Sequence, residues 1–564
     1  MRHSHARGFC AARPARSKQP GNAQSPARKE PAMTAAWNAP PPLAELVRAA
    51  RKYRRLIVCL PDLRFPEFAA SAAPCETERR FLALWPQHSA CVQFAAPNIL
   101  RGLLPDCELW LMPPVCAARL HEHFSETSSP HVLGGDGLHW QTEPVPQTAA
   151  APYKPWYRPS EKPVLPPEHV AVVGAGIAGA ATAYALASRG VRVTVLEAGR
   201  AAQAASGNRQ GLLYAKISAH DTEQTELLLG GYGHSRRLLD ELLPERENWQ
   251  PSGLLHLNHN PAETRRNAAL ATQKHHAHLY RGVSAKEAGA IAGIDMFSDG
   301  LYWPQGAWLH PPALVRALLS HPNITLREHT PLLSAQWSGG AWRLQTPAHT
   351  LSAQHIVYCT GAQSPHIPAL AALPWQLIRG QTDLSAATPY SGRLKTALSA
   401  AAYISPAWQG RHCYGASFIP HDAGSDWREA DAEHNRRELE RLHPQLAADL
   451  SAAPAAAGHA AVRCDSPDHL PVVGRLADYA AMKQVYAKLA HDKNYPLDAP
   501  CPWLPNARVN AAHGSRGLAT APWCAEQTAA EILGLPQPFS RRLREALHPN
   551  RHIVRALVRQ HEAG

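Results

Sequence analysis

The chain has 564 residues, of which 45% are hydrophobic, so it is long enough for two to four domains with sizeable cores. Its formal net charge of +12 favours a polyanionic partner, a nucleic acid or an anionic membrane surface. Eleven cysteines without a CxxC pair argue against a zinc ribbon and a disulfide framework, and no apolar stretch resembles a signal peptide or a membrane span. We therefore expect a cytoplasmic globular protein without a metal or a membrane partner.

The first 168 residues divide into three parts by composition. Residues 1–32 carry seven Lys or Arg and one acid, Glu30, so we predict a disordered basic arm over 1–40. Residues 41–145 are predicted to form a small α/β unit, with a helix in "PPLAELVRAARKY" and buried strands in "RRLIVCLPDL" and "CELWLMPPV". Residues 146–168 are rich in proline and predict a linker whose Tyr and Trp side chains attach it to a domain surface.

A predicted phosphate-binding loop follows the linker. The strand Val170–Val173 leads into Gly174-x-Gly176-x-x-Gly179, a helix comes next, and a second strand ends at Glu197. Gly174 permits the tight turn, Gly176 lets the backbone approach a pyrophosphate, and Gly179 lets helix and strand pack closely. The Glu197 carboxylate can accept a hydrogen bond from a ribose hydroxyl and disfavours a 2′-phosphate. The unit therefore predicts a Rossmann-type site for FAD or NAD rather than for NADP.

Three later segments favour FAD over NAD. "AASGNRQGLLYAKIS" (204–218) has small residues that let backbone amides approach a flavin. "HIVYCTGAQS" (355–364) is a strand that ends in Thr-Gly-Ala, similar to the segment that closes over FAD in flavoproteins with two dinucleotide folds. "AAHGSRGLATAPWCAEQTAAEIL" (511–533) is a Gly-rich turn that opens a long helix, whose N-terminus can face the flavin. The order of all three segments predicts FAD as the cofactor.

The same order of segments resembles the D-amino-acid oxidase/glycine oxidase (DAO) superfamily of flavoproteins. Within it, the chain resembles the C-terminal oxidoreductase domain of the MnmC family, bifunctional enzymes of tRNA wobble-uridine modification. The segments that carry this likeness are "ASGNRQGLLYAKIS", "IRGQTDL", "CYGASFIPHDAGSDWREADAEHNRRELERLHP", "VRCDSPDHLPVVG", "HGSRGLATAPWCAE" and "LREALHPNRHIVRALVR". The first half departs from the family pattern, because it lacks the glycine-rich loop of the methyltransferase domain.

The resemblance implies an α/β fold with a discontinuous Rossmann-type FAD-binding part, about 169–260, 350–375 and 500–540. An inserted α+β substrate part then covers about 261–349 and 376–499, and a basic helix covers 541–564. Residues 41–145 are expected to be a degenerate remnant of the methyltransferase, whose activity we do not carry over to this chain.

The resemblance also implies an activity. The enzyme would oxidise the carboxymethylamino group of 5-carboxymethylaminomethyl-(2-thio)uridine at the tRNA wobble position, releasing glyoxylate and leaving 5-aminomethyl-(2-thio)uridine. FAD accepts the hydride, dioxygen is the expected final acceptor, and a separate methyltransferase would complete the modification. Two alternatives stay open: an oxidase of free glycine-like or sarcosine-like amines, and an inactive flavoprotein that binds tRNA.

Two arginines are predicted to carry the chemistry. Arg463 resembles the arginine that grips the substrate carboxylate in related amine oxidases, and Arg516 is expected beside the flavin or the substrate. Arg379 can line the site or have a structural role. For Tyr403 and Tyr414 we favour packing in the core, and for His469 we favour a structural role. The residues assigned to FAD are Gly174, Ala175, Gly176, Ile177, Ala178, Gly179, Glu197, Ala198, Ser206, Gly207, Asn208, Gln210, Gly211, Thr360, Gly361, Gly514, Ser515, Gly517 and Leu518.

A basic surface for RNA is predicted at the C-terminus. Arg551, Arg555 and Arg559 recur every four residues, so they share one face of a helix, while Ile553 and Leu557 fall largely on another face. We expect the apolar stripe to dock on the body and the arginine stripe to face outward, where it would contact RNA phosphates without reading bases. A solvated charged face is the alternative.

Overall fold

The computed structural model describes the oxidoreductase part of the chain almost continuously, and parts of the segment before it. The described residues are 33–37, 43–52, 55–59, 78, 92–96, 99–104, 107–112, 131–132, 138–139, 153–158 and 166–562, the last range with gaps at 221, 273–278, 453–457 and 535–537.

Within the residues that the structure describes, the N-terminal unit contains a seven-stranded sheet and the helix α1. Its elements are β1 (Met33–Trp37), α1 (Leu43–Lys52), β2 (Arg55–Cys59), β3 (Val92–Ala96), β4 (Ile99–Leu104), β5 (Cys107–Met112), β6 (His131–Val132) and β7 (Leu138–His139). The strand order is β3-β4-β5-β2-β1-β6, and β7 pairs with β1. The predicted α/β character is confirmed, because β1 and β5 flank β2 in parallel and α1 buries its apolar stripe.

The predicted disordered arm is wrong at its C-terminal end. Residues 33–37 form β1, which pairs in parallel with β2 on one side and β6 on the other. This pairing satisfies the backbone hydrogen bonds of β1 through distant parts of the chain, which local composition does not reveal. The rest of the predicted arm, residues 1–32, lies outside the described residues. The interpretation of the unit as a methyltransferase remnant stays a prediction.

The oxidoreductase part contains strands and helices in alternation. Its first half consists of β8 (His169–Val173), α2 (Ile177–Ala187), β9 (Arg192–Leu196), β10 (Gly211–Leu213), α3 (Glu223–Leu242), β11 (Trp249–Gln250), β12 (Leu254–Leu257), α4 (Pro261–Ala271), β13 (Arg281–Val283), α5 (Ala285–Ala292), β14 (Gly300–Trp303), β15 (Ala307–Leu309), α6 (Pro311–Leu319), β16 (Ile324–Arg327), β17 (Ser334–Ser338), β18 (Ala341–Gln345), β19 (Thr350–Ala353) and β20 (His355–Tyr358). Its second half consists of β21 (Gln376–Ala386), β22 (Ala397–Ser399), β23 (Tyr403–Ile404), β24 (Arg411–Gly415), β25 (Ile419–Pro420), α7 (Glu429–Leu442), α8 (Pro444–Ser451), β26 (Gly458–Asp465), β27 (Val472–Ala477), α9 (Tyr479–Val485), β28 (Trp503–Ala511), α10 (Gly517–Leu533), α11 (Arg541–Leu547) and α12 (Asn550–Glu562).

A six-stranded sheet of order β16-β9-β8-β20-β28-β27 forms the Rossmann-type layer. Every neighbouring pair in it is parallel except β27 with β28. The strands β8, β9 and β20 are almost wholly apolar and buried, as parallel strands covered on both faces should be. The alanine-rich α2 is buried on nearly every side, because it packs between this sheet and the helices α6 and α10.

A nine-stranded, mainly antiparallel sheet forms the second layer. Its order is β13-β14-β12-β22-β23-β24-β21-β25, and β26 also pairs with the long strand β21. The apolar side chains of β12, β22, β23 and β24 pack with those of α5, α7 and α8 in a separate core. This is the inserted α+β part, and the predicted fold class is confirmed by the two layers.

The predicted boundaries between the two parts need correction. The segment 311–327, assigned to the substrate part, forms α6 and β16, and β16 extends the Rossmann-type sheet beside β9. The strand β27 joins the same sheet, whereas β12, assigned to the FAD-binding part, lies in the nine-stranded sheet. The chain therefore crosses between the two parts more often than predicted, because strand partners are set by tertiary pairing.

The predicted linker is attached to the body by its aromatic residues and by the C-terminal segment. The Trp156 ring is buried and meets the Tyr486 ring edge-on at 5.4 Å, and the Tyr157 ring meets His548 at 5.4 Å. Asn550 Nδ2 donates to the Trp156 carbonyl at 3.0 Å. The motifs "KPWYRP" and "HPNR", more than 390 residues apart, therefore form one contact.

The predicted C-terminal helix is two helices, α11 and α12. The break falls at Pro549, because the preceding residue His548 takes an extended conformation and proline cannot donate a backbone hydrogen bond. The apolar stripe docks as predicted, with Ile553 and Leu557 buried. Among the described residues, no helix combines the length and apolar character needed to cross a membrane.

Arg551 was predicted to contact RNA, and this is wrong, because only 2% of the residue is exposed. Its guanidinium binds both carboxylate oxygens of Asp468, at 2.9 and 3.0 Å, and donates to the carbonyls of Leu547 and Leu470. Arg551 therefore fixes the start of α12 on the body. Arg555 and Arg559 are exposed, Arg555 also contacts Asp468, and their role in RNA binding stays a prediction.

We expect Arg551→Met to lower the free energy of unfolding by about 3 kcal/mol, because it leaves Asp468 without its main partner. Arg559→Met, the matched exposed control, should leave stability unchanged within about 0.5 kcal/mol.

Despite the opposing effect of burial, Arg551 holds the pKa of Asp468 well below its usual range. The stabilisation is therefore present above the unfolded pKa of about 4 and is lost as the pH falls below it. Urea unfolding at pH 7 and pH 3 checks this, and equal stability of both variants at pH 7 would contradict it.

Candidate active site

The phosphate-binding loop depends on two glycines, Gly174 and Gly179, at which a side chain would overlap the backbone. Gly174 has φ of +102°, and a Cβ there would overlap the carbonyl oxygen of Cys359. A Cβ on Gly179 would overlap the carbonyl oxygen of Gly174, so the first turn of α2 touches the loop directly. A Cβ on Gly176 would lie 3.3 Å from the Ser206 hydroxyl. The backbone can therefore come close to a ligand at the N-terminus of α2.

Glu197 closes the loop at the end of β9. One carboxylate oxygen accepts from the backbone N–H of Ala175 at 2.7 Å, and the other accepts from Gly199 at 2.9 Å. A carboxylate has about four lone-pair sites, so Glu197 retains acceptor capacity for a ribose hydroxyl. Ala198, which follows it, is exposed, whereas Ala178 is buried inside α2.

The N-terminus of α10 lies against that of α2. Gly517 opens α10, and a Cβ on it would lie 3.5 Å from Cγ2 of Ile177, the first residue of α2. Leu518 occupies the space that a side chain at Gly211 would need. Two helix N-termini therefore converge, and each supplies partial positive charge and backbone N–H donors to an anion.

The turn before α10 and the segment after β20 complete this wall. Gly514 has φ of +53° and donates to the Cys464 carbonyl at 2.9 Å, while the neighbouring Ser515 is exposed. Thr360 lies beside the Gly174 turn, and Gly361, with φ of +49°, begins a short 3-10 helix. The three segments predicted to surround the flavin are thus adjacent to the loop in the structure.

The segment 206–210 joins the two sheets. The Ser206 hydroxyl accepts from the backbone N–H of Ile177 at 3.0 Å, so Ser206 caps α2. Asn208 donates to the Tyr403 hydroxyl at 2.9 Å, accepts from Thr382 at 2.9 Å, and thereby links this segment to the nine-stranded sheet. Gly207 is packed against His459, since a Cβ on it would lie 2.7 Å from that ring.

The side chain of Gln210 anchors the segment to the substrate part. It is fully buried, and its Nε2 donates to the Pro406 carbonyl at 3.0 Å. Its Oε1 is buried without a hydrogen-bond partner among the described residues, and its cofactor role stays a prediction.

Arg463 projects from β26 over the neighbouring strand β21. Its guanidinium occupies the space above Gly380, where any side chain would overlap it. It makes one long hydrogen bond, of 3.4 Å, to the Ser417 carbonyl, and among the described residues no carboxylate lies within ion-pair distance. Burial lowers the pKa of Arg463, while the nearby Tyr403 opposes that shift. A half-buried guanidinium with so few partners is suited to receive a carboxylate ligand.

Arg516 lies at the N-terminus of α10 and is also half-buried. Burial lowers its pKa, and the groups that face it are Tyr214, Asp465 and Arg266. It too has no ion-pair partner among the residues that the structure describes.

The sequence interpretation missed a polar cluster next to Arg516, formed by Tyr214, Lys216, His256, Glu263 and Arg266. Nε2 of His256 lies 2.9 Å from Oε2 of Glu263, and Lys216 Nζ lies 3.3 Å from its other oxygen. Burial lowers the pKa of His256 to about 4, so this ring is neutral at pH 7. The cluster joins residues about 50 positions apart in the chain, and the only local signal for it was the polar Lys216 inside an apolar strand-like segment.

The structure shows the surroundings of three residues whose roles the sequence left open. Arg379 is fully buried and binds the Asp431 carboxylate at 2.9 Å and the Gly424 carbonyl at 2.7 Å, so the structural alternative describes it. Tyr414 is buried in the core of the substrate part, whereas Tyr403 faces Arg463 and Asn208.

The comparisons with known proteins agree with this geometry. A family model described as FAD dependent oxidoreductase (DAO) matches residues 169–531. The chain belongs to the DAO family of FAD-dependent oxidoreductases. It is 42% identical over 421 residues to the "tRNA 5-methylaminomethyl-2-thiouridine biosynthesis bifunctional protein MnmC" of Pseudomonas entomophila (strain L48), and 41% identical over 413 residues to the protein of the same description in Pseudomonas putida (strain W619).

These matches cover 73% and 72% of this chain, but only 63% and 62% of the two relatives, so the chain spans less than two thirds of the length of the curated relatives it matches. Among solved structures, glycine oxidase from Geobacillus kaustophilus superposes with a TM-score of 0.54 at 21% identity, over 68% of this chain and 99% of that one. Iminodiacetate oxidase from Chelativorans sp. BNC1 gives a TM-score of 0.52 at 18% identity, over 67% and 98% of the two chains. These structures confirm the fold.

FAD, the cofactor of the DAO family, fits the residues present. The Gly174 turn and the converging N-termini of α2 and α10 are suited to a pyrophosphate and to the electron-rich edge of a flavin. Glu197 is placed for a ribose hydroxyl, and Thr360 and Gly361 border the loop. When bound, the flavin supplies a two-electron acceptor for the oxidation of a C–H bond next to nitrogen.

The position of Arg463 depends on the absence of a side chain at Gly380. We expect Gly380→Ala to displace the guanidinium by about 1 Å and to lower kcat/KM by about tenfold to a hundredfold, with little loss of flavin or stability. Gly392→Ala is the matched control, because nothing lies within 4 Å of a Cβ at that position. Steady-state kinetics and the flavin absorbance of both variants test this. Unchanged kcat/KM in Gly380→Ala would show that the position of the guanidinium does not matter.

Proposed function

We propose that this enzyme oxidises the carboxymethylamino group of 5-carboxymethylaminomethyl-(2-thio)uridine at the tRNA wobble position. The observation that carries the proposal is Arg463, a half-buried guanidinium near Tyr403 that has no carboxylate partner among the described residues. The similarity to proteins described as MnmC supports tRNA as the substrate. The cytoplasm as the location and dioxygen as the final acceptor belong to the same proposal.

The substrate carries an N-carboxymethyl group, a secondary amine bonded to CH₂ and a carboxylate. Arg463 binds the carboxylate through two parallel hydrogen bonds and so fixes the CH₂ carbon relative to the cradle. The loss of a hydride from that carbon and of a proton from the nitrogen converts the amine into an imine. Water then adds to the imine carbon, the C–N bond breaks, and the products are glyoxylate and the 5-aminomethyl group.

The protein residues must position the amine and keep it neutral, because only the neutral amine has the lone pair that stabilises the developing imine. Tyr403 faces Arg463 and is held by Asn208 at 2.9 Å, so it shapes the pocket beside the carboxylate. Burial raises the pKa of Tyr403 well above its usual value, so it remains a neutral phenol. The site therefore presents one cation to the substrate carboxylate and a neutral hydroxyl beside it.

A second candidate uses the same arginine. A free glycine-like or sarcosine-like amine also carries a carboxylate that Arg463 can bind, and the fold is shared with a glycine oxidase. The two functions differ in the group attached to the amine on the side away from the carboxylate. The tRNA substrate carries a nucleotide there, whereas glycine and sarcosine carry only hydrogen or a methyl group. A catalytically inactive flavoprotein is disfavoured by the intact loop and by Arg463.

The experiment is product analysis. The flavin-loaded protein is incubated aerobically with tRNA that carries the carboxymethylaminomethyl group, and in parallel with glycine and sarcosine. The proposal predicts one glyoxylate released for each 5-aminomethyluridine found after nucleoside digestion. Glyoxylate from the free amines, with unchanged tRNA, would favour the second candidate. We assign the later methylation to a separate methyltransferase. A methylated nucleoside in the same digest, after S-adenosylmethionine is added to the reaction, would contradict this.

A further inference from the structure

Burial alternates along the segment that begins with β10 and continues to Lys216. Leu213, Ala215 and Ile217 are buried, whereas Tyr214 and Lys216 are half-buried. Tyr214 and Lys216 face the same group of side chains, because Tyr214 stacks on His256 and Lys216 pairs with Glu263, which His256 also contacts. The Lys216 side chain keeps 34% of its surface exposed, so its ammonium group is accessible to a ligand.

Two cations bind one carboxylate at this place, and a third lies near them. Lys216 lies 3.3 Å from Glu263, Arg266 donates to Glu263 at 3.0 Å, and Arg516 faces both Tyr214 and Arg266. The other acid near Arg516 is Asp465, which is engaged by His469 at 2.9 Å. Since three cations face two carboxylates and the His256 ring is neutral, the cluster keeps a net positive charge.

The cluster is partly exposed and lies next to the cofactor cradle, because Arg516 stands at the N-terminus of α10. Glu263 and Arg266 are on the inner face of α4, and their neighbours Thr264 and Arg265 on the same helix are exposed. A nucleotide whose modified base enters the pocket keeps its backbone at the rim. A phosphodiester carries one negative charge on two oxygens, which a lysine and two arginines can bind together.

We propose that Lys216, Arg266 and Arg516 form an anion subsite for a phosphodiester of the anticodon loop next to the modified uridine. The inference rests on the proposed function, and it places an RNA phosphate contact at the pocket rim, whereas Arg551, predicted for that task, is buried in the fold. Arg463 binds the carboxylate of the side chain, so the two anionic groups of one substrate have separate cations.

The experiment compares two substrates with the same reactive group. One is an anticodon stem-loop RNA that contains 5-carboxymethylaminomethyluridine, and the other is the free nucleoside, which has no phosphate. Lys216→Met should lower kcat/KM for the RNA by about tenfold more than for the nucleoside. Lys286→Met, an exposed lysine of the substrate part, is the matched control and should change neither. The dependence of log KM for the RNA on log salt concentration should become shallower by about 0.7 in Lys216→Met.

A second variant separates ligand binding from structural support. Glu263→Gln removes the shared carboxylate and should tighten the binding of fluorescently labelled stem-loop RNA, whereas a purely structural role predicts that it weakens binding as Lys216→Met does. Equal losses of Lys216→Met on RNA and nucleoside would overturn the inference. If the wild-type enzyme oxidises neither the RNA nor the nucleoside, the proposed function itself fails.

Discussion

Arg463→Met is expected to lower kcat/KM for the carboxymethylamino substrate by about a hundredfold to a thousandfold. The substrate carboxylate would enter a half-buried site with no cation to bind it, and breaking one partner of such a pair costs about 3–5 kcal/mol. Arg463→Lys should recover only part of the loss, because lysine keeps the charge but cannot make two parallel hydrogen bonds. Anaerobic stopped-flow measurement of flavin reduction gives the rates directly.

The structure makes the alternative explanations of this loss testable. Arg463 donates only to the Ser417 carbonyl, at 3.4 Å, so its removal breaks no described ion pair and should not unfold the protein. The flavin content and melting temperature of Arg463→Met should therefore match those of the wild type. If Arg463→Met stays within about fivefold of the wild type while Arg516→Met loses a hundredfold or more, Arg516 binds the carboxylate instead.

Gly179→Val is expected to yield a protein without bound flavin, with an affinity for FAD reduced by about a hundredfold or more. A side chain at this position would overlap the carbonyl oxygen of Gly174, which is backbone and cannot move aside without opening the turn. The loop and α2 would separate, and the backbone N–H groups would no longer converge on a phosphate.

The visible absorbance of purified Gly179→Val and its titration with FAD test this prediction. Gly392→Ala is the control for a glycine replaced in open space, and it should purify yellow like the wild type. A Gly179→Val protein with the wild-type flavin spectrum would mean that the loop does not bind the cofactor in the way that the glycine spacing predicts.

The FAD-binding loop could be predicted from the sequence because its requirements are local. Gly174, Gly176 and Gly179 lie within six residues, and Gly179 packs on the backbone of Gly174 in the same turn, while Gly174 packs on the end of the strand beside it. Glu197 follows at the end of the next strand, so the distance along the chain determines its place. Arg463 is proposed from its surrounding motif, but the space that Gly380 leaves for it depends on the pairing of β21 with β26 and cannot be predicted from either segment alone.

The wrong predictions concern residues whose surroundings come from distant parts of the chain. Arg551 sits at a regular helical spacing with two exposed arginines, yet its environment is set by Asp468, 83 residues earlier in the chain. The strand β1 was assigned to a disordered arm because its partners β2 and β6 are distant in the sequence. The cluster of Lys216, Glu263 and Arg266 was missed for the same reason. In each case the sequence shows the order of residues within one segment, whereas the residues that contact it belong to another segment.

The most direct test of the account is anaerobic mixing of the flavin-loaded enzyme with tRNA that carries the carboxymethylaminomethyl group, followed by the absorbance of the oxidised flavin. Glycine and sarcosine are mixed in parallel at the same concentration. We predict rapid loss of the absorbance with the tRNA, little or none with the free amines, and a strongly slowed reaction in Arg463→Met. Loss of the absorbance with the free amines alone would contradict the proposed tRNA substrate and identify the protein as an oxidase of small amines.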